Sequence, residues 1–128
     1  MKIEHLAIWV NDLENTKRFY ETYFEGKSGE KYHNPNTLFT SYFLSFQSGS
    51  RLELMHRPDI SKRLQGGHEA MGLTHLAISV GSKEKVDELT NQLKDDGHVV
   101  VGGPRTTGDG YYESVVLDPE GNRLEITI

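Results

Sequence analysis

Apolar and polar residues alternate in two short segments, one near the beginning of the chain and one near its middle. Residues 3–10 read Ile-Glu-His-Leu-Ala-Ile-Trp-Val, and residues 73–80 read Leu-Thr-His-Leu-Ala-Ile-Ser-Val. Side chains of a β-strand alternate between its two faces, so the pattern predicts a strand with two different surroundings in each segment.

A helix is predicted after each strand, because apolar residues then recur at helical spacing. Asn11 and Glu14 fit a capping box at the start of the first helix, and Gly26 and Gly29 are expected to end it. The apolar stripe of this helix consists of Thr16, Phe19, Tyr20, Tyr23 and Phe24.

The second predicted helix begins after Ser82, which suits an N-cap, and stops at Gly97. Its core-facing residues are expected to be Val86, Leu89 and Leu93. Strand-like runs follow each helix, at 38–46 and 51–56 in the first half and at 99–101, 111–117 and 123–128 in the second. Tight turns at 47–49 and 118–121 would join the last two strands of each half.

The two halves are also related in sequence. The string His-Leu-Ala-Ile-x-Val begins at residue 5 and again at residue 75, an offset of 70. Gly-Ser-Arg-Leu-Glu-Leu at 49–54 matches Gly-Asn-Arg-Leu-Glu-Ile at 121–126, an offset of 72. Two matches in the same order at nearly the same offset indicate a duplicated unit. We predict an α+β fold of two tandem β-α-β-β-β modules, 1–56 and 72–128, joined by a linker at 57–71.

Composition narrows the range of partners. The 128-residue chain has a net charge of −5 and no basic stripe, which argues against nucleic acid and anionic membranes. The absence of cysteine excludes disulfides, thiolate zinc sites and cysteine nucleophiles. No apolar run reaches about 18 residues, so neither a signal peptide nor a transmembrane helix is predicted, and we expect a cytoplasmic protein. The hydrophobic share of 35% is low for so short a chain, which favours a homodimer.

Two histidines and two glutamates fall on the strand faces turned away from the predicted helices. In the first strand of each half, aliphatic residues share the face that suits the helix, and His5 or His75 lies on the other face beside an alanine. In the last strand of each half, Glu53 or Glu125 alternates with aliphatic residues. Imidazoles and carboxylates bind divalent metals, so the arrangement predicts a metal site formed by these side chains.

The alternative interpretation is structural, because a single histidine in a strand is more often a core or surface residue than a ligand. That interpretation does not explain the same residue type at the same position and on the same face in both halves. It does apply to the histidines without a counterpart, His33, His56, His68 and His98. Solvated carboxylates are expected at Glu4, Glu113 and Glu120.

These features resemble a known family. The opening Ile-Glu-His-Leu-Ala-Ile, the Leu-Thr-His-Leu-Ala-Ile at mid-chain and the closing Asp-Pro-Glu-Gly-Asn-Arg-Leu-Glu-Ile at 118–126 are similar to motifs of the vicinal oxygen chelate superfamily. The superfamily includes glyoxalase I, extradiol dioxygenases, methylmalonyl-CoA epimerase, fosfomycin-resistance transferases and bleomycin-binding proteins. The resemblance covers nearly the whole chain and implies a glyoxalase-like fold, in which paired modules form a cupped mixed sheet with the helices outside.

Carried over position by position, the metal ligands of the family fall on His5, Glu53, His75 and Glu125. In the dioxygenases and fosfomycin enzymes the position of Glu53 is typically not a ligand, and in the epimerase it is usually Gln. A glutamate there is similar to glyoxalase I, which implies a lactoylglutathione-lyase-like enzyme acting on a small α-oxo or α-hydroxy compound. One Zn²⁺, Ni²⁺, Co²⁺, Mn²⁺ or Fe²⁺ ion would stabilise an enediolate, and Glu125 or Glu53 would serve as general base.

Further residues are candidates for contact with the substrate. Residues 102–111 are rich in glycine and are expected to form a loop before a strand that lines the cavity. In this loop, Arg105 falls where relatives often place a cation facing an anionic substrate. The other candidates are Tyr111, Glu113 and Arg51. Tyr111 and Glu113 lie at alternate positions of the strand predicted to pair with that of Glu125, on the face expected to line the cavity. Arg51 comes from the first half. A plain surface position is the alternative for each of them.

Two other functions stay open. A drug- or metabolite-binding protein of the bleomycin-resistance kind would work with or without a metal, and it would have no need of paired histidines and glutamates. A ring-cleaving dioxygenase would need Fe²⁺ or Mn²⁺ on two histidines and one carboxylate, and Glu53 argues against that arrangement. All three functions share a small-molecule ligand.

Overall fold

Each half of the chain forms a mixed β-sheet with one helix packed against one of its faces, which confirms the predicted α+β class. The computed structural model describes residues 1–60 and 72–128. The chain divides into two compact units, Met1–Leu64 and Gln65–Ile128. Most of the predicted linker at 57–71, including His68, lies outside the described residues.

The first unit contains helix α1 and a five-stranded sheet. Its elements are β1 (His5–Trp9), α1 (Leu13–Phe24), β2 (Lys27–Ser28), β3 (Tyr32–Asn34), β4 (Phe39–Ser45) and β5 (Arg51–His56). β1 is parallel to β5, β5 is antiparallel to β4, and both β2 and β3 are antiparallel to β4. Because β2 and β3 pair with different parts of the same strand, they act together as one interrupted edge strand. The predicted order of strand, helix and three strands is therefore present.

The second unit contains helix α2 and a four-stranded sheet. Its elements are β6 (Leu76–Ser79), α2 (Lys83–Asp95), β7 (Val100–Thr106), β8 (Tyr112–Leu117) and β9 (Arg123–Thr127). The strand order is β6-β9-β8-β7, with β6 parallel to β9 and the other neighbours antiparallel. β6 and β9 thus take the places that β1 and β5 have in the first unit. In both units the last two strands are consecutive antiparallel neighbours, as predicted.

Helix α1 begins one residue later than the capping box predicted. The N-cap is Asp12, whose Oδ1 accepts a hydrogen bond from the backbone N–H of Asn15 at 2.9 Å. The predicted cap at Asn11 with Glu14 is therefore wrong, because Asp12 offers an equally suitable acceptor one position closer to the helix. The end of the helix also differs from the prediction, since Glu25 itself adopts the left-handed conformation, with a φ of 54°.

Helix α2 begins and ends as predicted. The Oγ of Ser82 accepts a hydrogen bond from the backbone N–H of Lys85 at 3.3 Å. Gly97 follows the helix with a φ of 87°, and the N–H of His98 donates to the carbonyl of Leu93 at 2.8 Å. This reversal occupies carbonyl groups that would otherwise have no partner within the helix.

The apolar face of each helix packs against the aliphatic face of its own sheet. In the first unit α1 lies against β4 and β5, and the buried apolar residues are Val10, Leu13, Phe19, Tyr20, Phe24, Leu44, Leu52 and Leu54. In the second unit α2 lies mainly against β7 and β8, and the buried apolar residues are Val86, Leu93, Val116, Leu124 and Ile126. Full burial of one such side chain stabilises the fold by about 1.5–3 kcal/mol. Tyr23 and Leu89, from the predicted stripes, are only half-buried.

A pair of hydroxyl groups is buried between α2 and β8. Thr90 and Ser114 are 3% and 1% exposed, and their hydroxyl oxygens lie 2.6 Å apart. The Thr90 hydroxyl donates to the carbonyl of Val86 at 2.5 Å. Because a hydroxyl has a single proton to donate, the Ser114 hydroxyl is the donor to Thr90.

The glycine-rich segment 102–111 is strand over about half of its length, which corrects the predicted loop. β7 runs from Val100 to Thr106 and pairs with β8 through two register shifts. Such irregularities accommodate additional residues in one strand, and an edge strand tolerates Pro104, which has no N–H to donate. The strand predicted at 99–101 is thus the beginning of a longer one.

The closing motif forms the tight turn that joins β8 to β9. Asp118 is 4% exposed, and its Oδ1 accepts hydrogen bonds from the backbone N–H groups of Glu120 and Asn122, at 3.0 and 2.8 Å. Its Oδ2 accepts a third from the side-chain amide of Asn122 at 2.8 Å. Gly121 completes the turn with a φ of 78°.

Candidate functional site

In the first unit, His5 and Glu53 lie on the neighbouring parallel strands β1 and β5. In the register of these strands His5 is opposite Arg51, and Ala7 is opposite Glu53. The Nε2 of His5 is 3.9 Å from Oε2 of Glu53, and the two side chains are 39% and 14% exposed. Because the side chain of Ala7 is a single methyl group, space is left beside the more enclosed carboxylate.

The second unit has a similar pair at β6 and β9, with His75 directly before β6 and Glu125 on β9. Ala77 is opposite Glu125 in the parallel register. The Nε2 of His75 is 3.2 Å from Oε2 of Glu125, and the two side chains are 40% and 22% exposed. The sequence repeat is therefore also a repeat of side-chain geometry.

Both pairs lie on the sheet face opposite the helix, as the alternation of the strands predicts. Leu52 and Leu54, on either side of Glu53 in β5, are 4% and 0% exposed and belong to the core beneath α1. The aliphatic neighbours of Glu125 in β9 are buried in the same way beneath α2. The apolar layer thus fixes the face on which each carboxylate stands.

Among the described residues, the four predicted ligands form one His–Glu pair in each unit. Within residues 1–60 and 72–128, no group of three or more His, Cys, Asp or Glu side chains is placed so that it could hold a metal ion. The single site predicted from His5, Glu53, His75 and Glu125 therefore stays a prediction. The donor set does fit a divalent cation, because two neutral imidazoles and two carboxylates neutralise its charge.

Glu4 belongs to a hydrogen-bonded cluster around His5, which corrects its prediction as a merely solvated carboxylate. Its Oε2 lies 2.5 Å from Nδ1 of His5, and its Oε1 accepts a hydrogen bond from Nε of Arg51 at 2.8 Å. The hydrogen bond with His5 is the main cause that holds the pKa of Glu4 below its ordinary value.

Phe43, on β4, packs against the side chains of this cluster. It lies opposite Glu53 in the antiparallel register of β4 and β5. The guanidinium of Arg51 is 4.2 Å from the centre of the Phe43 ring, and the His5 ring meets the same ring edge-on at 5.2 Å. These contacts fix where Arg51 and His5 lie, and a contact between Arg51 and substrate stays a prediction.

Arg105 and Glu113 are opposite each other on β7 and β8. Arg105 Nη2 lies 3.5 Å from Glu113 Oε1, and the side chains are 65% and 11% exposed. Glu113 is paired with Thr127 of β9, so it stands on the same face as Glu125. The expectation that Glu113 is merely solvated is thus wrong, because its carboxylate is enclosed and paired. Its contact with substrate stays a prediction.

Tyr111 precedes β8 and is 61% exposed. Its backbone N–H donates to Thr107 Oγ1 at 3.0 Å, and its carbonyl accepts from the N–H of Thr107 at 2.8 Å. These bonds close the turn between β7 and β8, and a role of the phenol in substrate binding is not tested by them.

The row of side chains that follows each His–Glu pair on the same sheet face differs between the two units. Trp9 is opposite Met55, contacts the ring of Phe39 edge-on at 6.0 Å and has the guanidinium of Arg57 5.6 Å from its ring centre. The corresponding row of the second unit is polar and consists of Ser79, Thr127, Glu113 and Arg105. Sequence reasoning overlooked Trp9, although it has the same parity as His5.

The described histidines without a counterpart occupy structural or surface positions. The Nδ1 of His56 lies 3.0 Å from the carbonyl oxygen of Val10, which ties the end of β5 to β1. His98 closes the end of α2 through its backbone N–H, and His33 is exposed on β3.

The model of the Glyoxalase/Bleomycin resistance protein/Dioxygenase superfamily matches residues 2–126 of the chain. Because the match spans nearly the whole chain, the protein belongs to this superfamily. The resemblance seen in the sequence motifs is thereby confirmed. Neither helix within the described part of the chain is long and apolar enough to cross a membrane.

Two proteins of Bacillus subtilis (strain 168) are similar in sequence. YwkD is 37% identical over 98 residues, which are 68% of this chain and 68% of YwkD. YqjT is 24% identical over 127 residues, which are 97% of this chain and 96% of YqjT. The similarity to YqjT therefore extends along both units.

Solved structures show the same fold. The glyoxalase family protein from Enterococcus faecalis is 26% identical, with a TM-score of 0.80 over 99% of this chain and 97% of that chain. Glyoxalase I from Zea mays is 23% identical, with a TM-score of 0.78 over 98% of this chain and 44% of that chain. This chain thus spans less than half the length of the maize protein, and the likeness to it shows the fold alone.

Proposed function

We propose that the protein is a divalent-metal-dependent lyase or isomerase of the glyoxalase type, acting on a small α-oxo or α-hydroxy compound. The observation that carries the proposal is the duplicated pair of histidine Nε2 and glutamate Oε2, 3.9 Å apart in one unit and 3.2 Å apart in the other. Each pair stands on the face opposite the helix, with an alanine opposite the glutamate. Membership of the superfamily and the fold shared with glyoxalase I support a glyoxalase-like function in general terms.

The proposed ligands are His5, Glu53, His75 and Glu125. Two atoms that each lie about 2.1 Å from one ion are about 3 Å apart when they occupy neighbouring coordination positions. The spacing of 3.2 Å in the second pair therefore suits a shared ion. The first pair would have to close by roughly 1 Å, which a rotation of exposed His5 allows. Nitrogen and oxygen donors suit Zn²⁺, Ni²⁺, Co²⁺, Mn²⁺ or Fe²⁺.

The two glutamates would also move the proton. When bound, the ion supplies Lewis-acid stabilisation of negative charge on adjacent substrate oxygens, which makes the neighbouring C–H more acidic. The carboxylate of Glu125 or Glu53 accepts the proton from one substrate carbon and donates it to the next. With 22% and 14% of their side chains exposed, both carboxylates are partly shielded from water, which limits loss of that proton to solvent.

Substrate contacts are proposed on the same sheet faces. Arg105 would bind an anionic group, because its side chain is 65% exposed and its guanidinium is held near Glu113. Arg51 and Tyr111 are the other proposed contacts, from the cluster beside His5 and from the turn before β8. A homodimer remains part of the proposal, as a second chain could supply one of the His–Glu pairs.

Metal analysis tests the first half of the proposal. The purified protein is stripped with a chelator and reloaded with each metal in turn. After desalting it should retain about one ion for every two His–Glu pairs. His5→Gln, His75→Gln and Glu125→Gln should lose this ion, whereas the exposed controls His33→Gln and Glu88→Gln should keep it. Retention of the metal by all three ligand variants would contradict the assignment.

Turnover tests the second half. The metal-loaded protein should convert the hemithioacetal of methylglyoxal. Glu125→Gln or Glu53→Gln should lower kcat by about 10²-fold or more, because each removes both a proton acceptor and a ligand of the ion. Cleavage of a catechol in place of this reaction would indicate a dioxygenase. Tight binding of a small molecule without metal and without turnover would indicate a binding protein. Either outcome would overturn the proposed lyase or isomerase activity.

A further inference from the structure

We propose that Glu4 is a positioning residue that holds the His5 imidazole in the form protonated on Nδ1. The inference rests on the proposed function in one respect, namely that Nε2 of His5 is a metal ligand. The observation that carries it is the direction of the two ring nitrogens. Nδ1 lies 2.5 Å from Oε2 of Glu4, whereas Nε2 faces Oε2 of Glu53 at 3.9 Å.

The chemistry of these groups fixes the tautomer. A neutral imidazole has one nitrogen that carries a proton and one that has a lone pair. An ionised carboxylate only accepts hydrogen bonds, so the nitrogen beside Glu4 must carry the proton. The lone pair is then on Nε2, on the side of Glu53, where a cation would bind it. Carboxylates that accept the second N–H of a ligand histidine orient the ring and raise its basicity.

Arg51 holds Glu4 in place for this contact. Its Nε donates to Oε1 of Glu4 at 2.8 Å, while Oε2 is left for His5. The backbone N–H of Arg51 also donates to the carbonyl of Glu4 at 3.0 Å. Because the guanidinium is stacked on Phe43, the carboxylate is anchored although 54% of its side chain is exposed.

The second unit provides a built-in comparison. The residue that precedes His75 is Thr74, which has no carboxylate, although the pair of His75 and Glu125 repeats that of the first unit. The duplicated pairs are therefore supported differently, and only His5 has an adjacent acid. This difference predicts that the two histidines respond differently to the same substitution.

The decisive measurement is the tautomer of His5 in the metal-free protein, read from ¹⁵N chemical shifts and long-range ¹H–¹⁵N correlations. The spectra are recorded at about pH 8.5. His5 should carry its proton on Nδ1, and Glu4→Ala should shift it toward the Nε2-protonated form while His75 stays unchanged. If His5 were already protonated on Nε2 in the unsubstituted protein, or did not respond to Glu4→Ala, the proposal would be overturned.

Metal affinity gives a second readout. Glu4→Ala should weaken binding of Zn²⁺ by about 10–100-fold, with Glu30→Ala as an exposed control in the same unit. Glu4→Gln keeps the shape of the side chain and one acceptor oxygen, so its affinity for Zn²⁺ should lie between those of Glu4→Ala and the control. This variant also replaces Glu4→Ala if the latter does not fold. Unchanged affinity in both Glu4 variants would argue against the positioning role. A protein that binds no metal at all would instead defeat the proposed function, and the tautomer measurement would still decide the role of Glu4.

Discussion

Ala77 lies directly opposite Glu125 in the parallel register of β6 and β9. Ala7 has the same relationship to Glu53 between β1 and β5. In each unit the histidine stands two residues before this alanine, His5 at the start of β1 and His75 directly before β6, so the carboxylate has a methyl group on one side and an imidazole near it. The repetition indicates that a small side chain is needed beside each glutamate.

Ala77→Val should obstruct the Glu125 carboxylate without unfolding the protein. Residue 77 is exposed on the edge strand β6, and a β-branched residue is well tolerated in a strand. We expect Zn²⁺ affinity to fall by about 10-fold or more, and the free energy of unfolding to change by less than about 0.5 kcal/mol. Calorimetric titration and urea unfolding measure the two quantities. Ser79→Val, on the same face but opposite Thr127, is the control, and an equal loss of affinity there would contradict the argument.

The buried hydroxyl pair should behave as a unit in stability. Thr90→Val removes the acceptor of the Ser114 hydroxyl inside the core and should lower the free energy of unfolding by about 1–3 kcal/mol. Adding Ser114→Ala should restore much of that loss, because no donor is then left without a partner. Urea unfolding of the two single variants and the double variant gives the coupling energy. Purely additive effects would show that the hydroxyl contact contributes nothing specific.

Introducing a glycine at the end of α1 and removing the glycine at the end of α2 should change stability in opposite directions. Glu25 has a φ of 54°, which a residue with a Cβ adopts at a cost, so Glu25→Gly should stabilise the protein by about 0.5–1 kcal/mol. Gly97 has a φ of 87° and no atom within 4 Å of an added Cβ, so Gly97→Ala should destabilise it by about 1 kcal/mol through backbone strain alone. Thermal unfolding of both variants is the test, and shifts of the same sign would contradict the reasoning.

Glu21 should make the stability of the first unit depend on pH. Its carboxylate accepts a hydrogen bond from the Ser28 hydroxyl at 2.7 Å and pairs with Lys17 at 2.9 Å. These contacts, the Ser28 bond first, lower the pKa of Glu21 below its ordinary value of 4.5. A lowered pKa in the folded state means that the contribution is present above pH 4.5 and is lost as the pH falls through the folded-state pKa.

Glu21→Gln should therefore lower the free energy of unfolding by about 0.5 kcal/mol at pH 7, and by progressively less as the pH falls below 4.5. Urea unfolding at several pH values measures the difference. Glu30→Gln, an exposed residue of the same unit, serves as the control and should show little difference at any pH. A loss that is independent of pH would point to packing rather than charge.

The sheet face on which His5, Glu53 and Glu125 stand could be predicted because side chains alternate strictly along a strand. His5 and Glu53 have aliphatic neighbours that must enter the core, so their own faces follow from sequence alone. The helix cap at Ser82 and the reversal at Gly97 were equally accessible, because each depends on a residue type that few alternatives can replace.

The predictions that failed have physical reasons of their own. The full length of strand β7 was not predicted, because its glycines and Pro104 are typical of loops. These residues are accommodated at an irregular sheet edge. The cap at Asp12 was one of two adjacent acceptors that sequence cannot rank. Glu4 was missed because neighbours within a strand face opposite sides, whereas Glu4 precedes β1 and can reach the side chain of His5.

The turn around Asp118 has a consequence for how the closing motif should be understood. Its three hydrogen bonds hold the path from β8 to β9 at a fixed number of residues. One inserted residue would exchange inside for outside along β9, bringing Glu125 into the apolar layer and Leu124 out of it. The Asp-Pro-Glu-Gly segment thus determines which side chains of β9 face the core, and this is a requirement of the fold rather than of a particular reaction.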